Sequence, residues 1–113
     1  MNLTQTWMTL PIGRASPQVT PEIAQWIERA QAGDDEALAA LYRQFVQTIY
    51  RYIYYRVSSQ QDAEDLTAEV FVKMVEALPS YQITGAPFEV WLYRVAQARV
   101  FDFYRRKGRR PQT

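Results

Sequence analysis

The segment SQQDAEDLTAEVFVKMVEAL, residues 59–78, sets the fold class predicted for this chain. Its apolar side chains recur at steps of three and four residues, so they share one face of a helix. Acidic side chains recur at the same steps on a second face, which is free to meet a basic partner. The apolar positions are Ala63, Leu66, Val70, Met74 and Ala77, and the acidic positions are Asp62, Asp65 and Glu69.

The ends of this helix and the two helices before it are also predicted from local signals. Ser59 can cap the helix start, and Pro79 ends the helix because its ring cannot continue the hydrogen-bond ladder. Thr20 before a proline is typical of a helix start, and Gly33 can end that short helix in a left-handed conformation. Asp34 can then cap a longer helix that is predicted to run to about residue 57.

A last helix is predicted after the loop at residues 79–87, which contains two prolines and a glycine. It begins after Pro87 and is predicted to end at Gly108 and Pro111. No segment carries a strong strand signal. The chain is therefore predicted to be all-α, with three longer helices in a bundle and a short leading helix.

The composition excludes several function classes. The chain has 113 residues and a net charge of +1, with neither cysteine nor histidine. Those absences remove disulfides, thiolate metal ligands and the commonest acid–base catalyst, so we predict no catalytic residues, no metal and no cofactor. No apolar run approaches the roughly 18 residues of a membrane span, and no signal peptide is apparent. We therefore expect a cytoplasmic protein without a membrane partner.

The charge distribution is more informative than the net charge. Between Arg99 and Arg110, six basic residues accompany one acid, Asp102. Aromatic residues are interleaved with these cations, a combination typical of proteins that neutralise phosphates and stack on unpaired bases. Cations that complement the dipole at a helix C-terminus would explain two or three of them. The pattern favours contact with nucleic acid.

Several ordered motifs resemble domain two of bacterial RNA polymerase sigma factors, and most closely the extracytoplasmic-function type. They are AQAGDDEALAALY (30–42), DAEDLTAEVFVK (62–73), ALPSY (77–81), APFEVWLYRVA (86–96) and DFYRR (102–106). The resemblance covers residues 19–111 and implies the three-helix bundle of that domain. Residues 1–18 are then expected to be a flexible leader, and the C-terminal domain that reads the minus-thirty-five element is expected to be absent.

The resemblance implies two interfaces and no covalent chemistry. The acidic helix would dock on the clamp helices of the β-type subunit of core RNA polymerase, and an anti-sigma factor is a further expected partner. The loop and the last helix would recognise and melt the promoter minus-ten element and hold its single strand. The polymerase-binding residues would be Asp62, Asp65, Glu69 and Lys73. The base pocket and its support would include Tyr81, Gln82, Thr84 and Trp91, and the DNA backbone would be followed by Arg94, Gln97, Arg99, Arg105, Arg106 and Lys107.

The chain departs from the sigma-factor pattern at two places, and the first of them, Ala98, favours a second interpretation. Many such factors have asparagine at the position of Ala98, where its amide helps to hold the flipped base. The loop at 81–85 also lacks an arginine that many of them carry. A protein-interaction module of the same fold, such as an anti-sigma decoy that does not read DNA, is the alternative.

Overall fold

The computed structural model describes residues 20–109 of the chain. It contains four α-helices: α1 (Pro21–Gln31), α2 (Asp35–Val57), α3 (Gln60–Ala77) and α4 (Phe88–Arg109). A short 3₁₀ turn, Leu78–Ser80, follows α3. The all-α prediction is confirmed, and no strand occurs between residues 20 and 109. The proposed leader at 1–18 and the proposed stop at Pro111 lie outside the described residues.

The helices begin and end at residues whose local chemistry favours those ends. The Thr20 hydroxyl accepts a hydrogen bond from the backbone N–H of Ile23 at 3.1 Å, as expected of an N-cap. Gly33 follows α1 with φ +96°, a conformation that glycine adopts without a steric penalty. The Asp34 side chain then caps α2 by accepting from the N–H groups of Glu36 and Ala37 at 3.0 and 3.3 Å.

The joint between α2 and α3 consists of two residues, Ser58 and Ser59. Ser58 ends α2 in the left-handed region with φ 62°, and Ser59 caps α3 by accepting from the Asp62 N–H at 3.3 Å. Gln60 therefore already lies in the first turn of α3. One left-handed residue and one capping residue reverse the chain, so α3 packs antiparallel to α2.

The core forms around α2, which packs against each of the other three helices. Its buried side chains recur every four residues and face the apolar stripes of α1, α3 and α4. The α2 members are Ala37, Leu41, Phe45, Ile49, Ile53 and Val57. The α3 members are Ala63, Leu66, Thr67, Val70, Phe71 and Met74, so the predicted apolar face is buried apart from the partly exposed Ala77.

The direction of α4 follows from its contacts with α2. The Phe88 ring lies 5.9 Å from the Phe45 ring, and further along the Tyr104 hydroxyl donates to the Arg56 carbonyl oxygen. The two helices therefore run the same way, and both run opposite to α3. The predicted stop at Gly108 is wrong, because α4 continues to Arg109; a glycine costs a helix only about 1 kcal/mol relative to alanine. None of the helices within 20–109 is long and apolar enough to span a bilayer.

Candidate nucleic-acid and protein interfaces

The outer face of α3 carries acids on either side of an apolar strip. Asp65, Glu69 and Lys73 are exposed, as an interface would require. Two valines beside this row are also exposed: 56% of the Val72 side chain and 47% of the Val75 side chain. Because they sit among charged residues on a helix that already has a buried face, these valines are available to a partner rather than to the core.

The groove between α3 and α4 brings together residues assigned to different interfaces. Glu69 and Lys73 from α3 and Arg99 from α4 all line a groove of about 350 Å³. Arg99 is half-buried there and lies 3.7 Å from the Asp102 carboxylate. Its buried Nε has no hydrogen-bond partner among the described residues. Arg99 thus lies at the seam with the acidic helix and not on the outer face of α4.

A second mixed cleft lies at the start of α3. Asp62 is only partly exposed, and it lines a cleft of about 140 Å³ together with Phe103, Arg106 and Lys107 of α4. The ammonium of Lys107 lies 5.5 Å from the centre of the Phe103 ring. One predicted polymerase-binding acid therefore stands beside two predicted DNA-binding cations, and it lowers the positive potential of that end of α4.

The outer face of α4 carries a stripe that we call the α4 stripe: Arg94, Ala98, Phe101 and Arg105. These residues are exposed and follow steps of three and four, so they form one row along the helix. Gln97 is exposed beside the row. The Arg105 guanidinium donates to the Asp102 carboxylate at 2.5 Å, so one cation of the row is paired with an acid.

The loop between α3 and α4 packs against an aromatic cluster. The Tyr81 ring packs edge-on to the Phe88 ring at 5.0 Å, and the Trp91 ring stacks on Phe88 at 5.6 Å. Tyr81 and Trp91, which the resemblance assigns to the base pocket, are 5.8 Å apart. Burial raises the pKa of the Tyr81 hydroxyl, in keeping with a ring set into the protein.

The rest of the loop faces solvent. Gln82 and Thr84 are exposed, and the Thr84 hydroxyl accepts from the N–H of Ala86 at 3.1 Å to form a local turn. The loop therefore packs on aromatic rings where it joins the helices, and its polar residues are exposed to solvent. These exposed residues can contact a ligand without first disrupting the core.

Gln31 and Phe101 are not among the site residues predicted from the sequence. Gln31 at the end of α1 donates its side-chain amide to the carbonyl oxygens of Leu78 and Tyr81, at 3.0 and 2.6 Å. No local pattern reveals a contact across 50 residues. Phe101 does have a signal, because it follows Arg94 by seven residues and precedes Arg105 by four.

Comparison with known proteins gives a consistent family assignment. The model of the Sigma-70 region 2 family matches residues 41–110. The chain is 37% identical over 91 residues to the ECF RNA polymerase sigma factor BldN of Streptomyces coelicolor, a match that covers 80% of this chain and 34% of BldN. It is 38% identical over 80 residues to the ECF sigma factor SigE of Mycolicibacterium smegmatis, which covers 68% of this chain and 30% of SigE. The matches thus span about a third of the length of these relatives.

Two solved structures are similar in fold and in sequence. One is the RsbN–BldN complex, with 43% identity and a TM-score of 0.64, and it covers 67% of this chain and 55% of that chain. The other is an engineered region 2 of sigmaE in complex with GTAAAA. It has 29% identity and a TM-score of 0.71, and it covers 83% of this chain and 96% of that chain.

Proposed function

The chain belongs to the sigma-70 region 2 family, and we propose that it joins core RNA polymerase to the promoter minus-ten element during transcription initiation. In this proposal α3 binds the polymerase, and α4 with the preceding loop holds the unwound strand. The domain performs no covalent chemistry and acts in the cytoplasm, where polymerase and promoter meet. An anti-sigma factor would control it by covering one of these surfaces.

The polymerase interface is proposed on the outer face of α3. Asp65 and Glu69 are exposed and would face basic side chains of the clamp helices. Such charge pairs set the register of the two proteins and speed their association more than they raise the affinity. Val72 lies beside these acids on the same face of α3 and supplies apolar area that such an interface needs at its centre. The proposed set comprises Asp62, Asp65, Glu69 and Lys73.

The DNA interface is proposed on the loop, on the outer face of α4 and, at Arg99, on the seam between α4 and α3. The exposed α4 stripe supports this proposal most directly. It has cations that can bind phosphates on either side of a ring that can stack on a base. A relative of the same fold, the engineered region 2 of sigmaE, was solved in complex with GTAAAA. The proposed set comprises Tyr81, Gln82, Thr84, Trp91, Arg94, Gln97, Arg99, Arg105, Arg106 and Lys107.

One observation favours a second candidate function. Ala98 is exposed on the α4 stripe, and its methyl side chain cannot form a hydrogen bond to a base. A bundle that binds proteins but does not read DNA would tolerate that residue. BldN, a relative of this chain, was solved in a complex with RsbN. Binding to single-stranded minus-ten oligonucleotides distinguishes the two functions.

The polymerase half of the proposal is tested by charge reversal on α3. We expect Asp65→Lys with Glu69→Lys to abolish capture of core RNA polymerase in a pull-down, because the new cations would repel the basic partner. Glu28→Lys on α1 is the matched control, since Glu28 is also an exposed helical acid. Capture that survives in the double variant, with the fold intact by circular dichroism, would refute the assignment.

A further inference from the structure

We propose that Phe101 is a platform on which one unpaired base of the bound strand stacks. The inference rests on the proposed function and adds a residue to its DNA interface. Phe101 is 66% exposed. No aromatic ring or cation packs on it within the part of the chain that the structure describes. A ring with a free face can therefore receive a base directly.

The other rings of α4 already have partners. Phe88 and Trp91 stack on each other, and the Tyr93 ring packs edge-on to Tyr52 at 5.2 Å. Near the end of the helix, the Phe103 and Tyr104 rings lie 5.1 Å apart. A base that stacked on one of these would have to displace an existing contact.

The neighbours of Phe101 suit a flat ligand. Ala98 lies one turn earlier on the same row, and its methyl group leaves the space beside the ring open. A base laid on the ring can extend over Ala98, whereas a longer side chain there would occupy that space. The absence of a polar group at Ala98 is then compatible with DNA binding, because stacking does not depend on hydrogen bonds.

Cations flank the ring along the helix. Arg94 lies about 10 Å before Phe101 and Arg105 about 6 Å after it, from a rise of 1.5 Å per residue. The Arg105 guanidinium bonds to the Asp102 carboxylate at 2.5 Å, and the Arg105 side chain remains exposed. Phosphates on either side of a stacked base can thus meet positive charge, which is the arrangement used by proteins that bind single strands.

The test compares strands with and without bases. The probes are the single-stranded hexanucleotide GTAAAA and a six-residue strand of abasic sites with the same phosphates. We expect Phe101→Ala to weaken binding of GTAAAA about tenfold and to leave binding of the abasic strand unchanged, because only stacking is lost. Phe101→Trp should retain the affinity for GTAAAA. Tyr42→Ala is the matched control, since Tyr42 is an exposed ring in the groove between α2 and α3.

The outcomes separate this proposal from the proposed function. If wild-type protein binds GTAAAA and Phe101→Ala binds it equally well, the assignment of Phe101 alone is overturned. If Phe101→Ala weakens both strands equally, the ring contributes to structure or electrostatics and the stacking proposal is again overturned. If wild-type protein binds neither strand, the proposed DNA binding is wrong, and the stacking role of Phe101 is overturned with it. Capture of polymerase is measured independently of this result.

Discussion

The side-chain amide of Gln31 donates to the carbonyl oxygen of Tyr81 at 2.6 Å and so joins the end of α1 to the loop that precedes α4. The same nitrogen donates to the carbonyl oxygen of Leu78 at 3.0 Å. The Leu78 carbonyl also accepts from the Tyr81 N–H at 3.0 Å in the 3₁₀ turn, and the Tyr81 carbonyl lies in the loop just beyond that turn. The short leading helix therefore helps to position the proposed DNA-binding loop.

Removal of this link should loosen the loop. We expect Gln31→Ala to lower the free energy of unfolding by about 1–2 kcal/mol, since each lost hydrogen bond contributes about 1 kcal/mol. Amide hydrogen exchange at residues 82–86 should become faster because the first loop residue is no longer held. Gln25→Ala on the same helix is the control, as Gln25 is exposed. Exchange in the loop that equals that of the Gln25 variant would contradict this role.

Arg94 and Arg99 should differ in their contributions to DNA binding. Arg94 is exposed on the α4 stripe, whereas Arg99 is half-buried beside Asp102 and α3. Each phosphate contact contributes about 0.7 to the slope of log K against log salt for a single strand. We expect Arg94→Ala to reduce the slope for GTAAAA by about that amount and Arg99→Ala to reduce it less.

The salt titration needs a control for net charge. Arg43→Ala on α2 removes one exposed positive charge from a helix outside the proposed DNA interface. Its slope should match that of wild-type protein. An equal reduction of the slope in the Arg94 and Arg99 variants would show that the seam position does not shield Arg99 from the strand.

Glu89 should make stability depend on pH. Burial in the first turn of α4 raises the pKa of the Glu89 carboxyl above its ordinary value. The folded state then binds a proton more readily than the unfolded state, so stability falls as pH rises from the ordinary pKa through the raised one. Glu89→Gln removes this loss, and we expect the variant to gain stability relative to wild-type protein as pH rises above the ordinary glutamate pKa, about 4.3.

Urea unfolding at several pH values measures this effect. Glu22→Gln serves as the control, because Glu22 lies in the first turn of α1 but is exposed. The difference between Glu89→Gln and wild-type protein should widen with pH, while the Glu22 variant follows wild-type protein. A constant difference for the Glu89 variant would contradict the proposed cost of placing its charge in a partly buried position.

The fold was predictable because its determinants are local. Thr20, Gly33, Asp34 and Ser59 each act within a few residues of their own position, through caps and a left-handed turn. The stripes of α2 and α3 follow from the helical period. Gly108 was predicted to end α4 but lies within it, because one glycine destabilises a helix too little to end it after several stable turns.

The surfaces were less predictable because they depend on how the helices rotate against each other. Periodicity shows that Arg99 and Asp62 lie on helices, but only packing places Arg99 against α3 and Asp62 beside Arg106. The contact from Gln31 to Tyr81 joins residues 50 positions apart, and no short motif encodes it. Phe101 was visible as a member of the basic and aromatic segment, yet its exposure required the structure.

The central claim is that one small bundle carries two separable surfaces, and parallel binding measurements on two neutralised variants test it most directly. Asp65→Asn with Glu69→Gln, and separately Arg94→Gln with Arg105→Gln, are titrated with core RNA polymerase and with fluorescent GTAAAA. We predict that the α3 variant loses polymerase binding and retains DNA binding, while the α4 variant retains polymerase binding and loses at least about tenfold in DNA affinity. The account would be contradicted if either folded variant lost binding to both partners. It would also be contradicted if both variants retained binding to both partners.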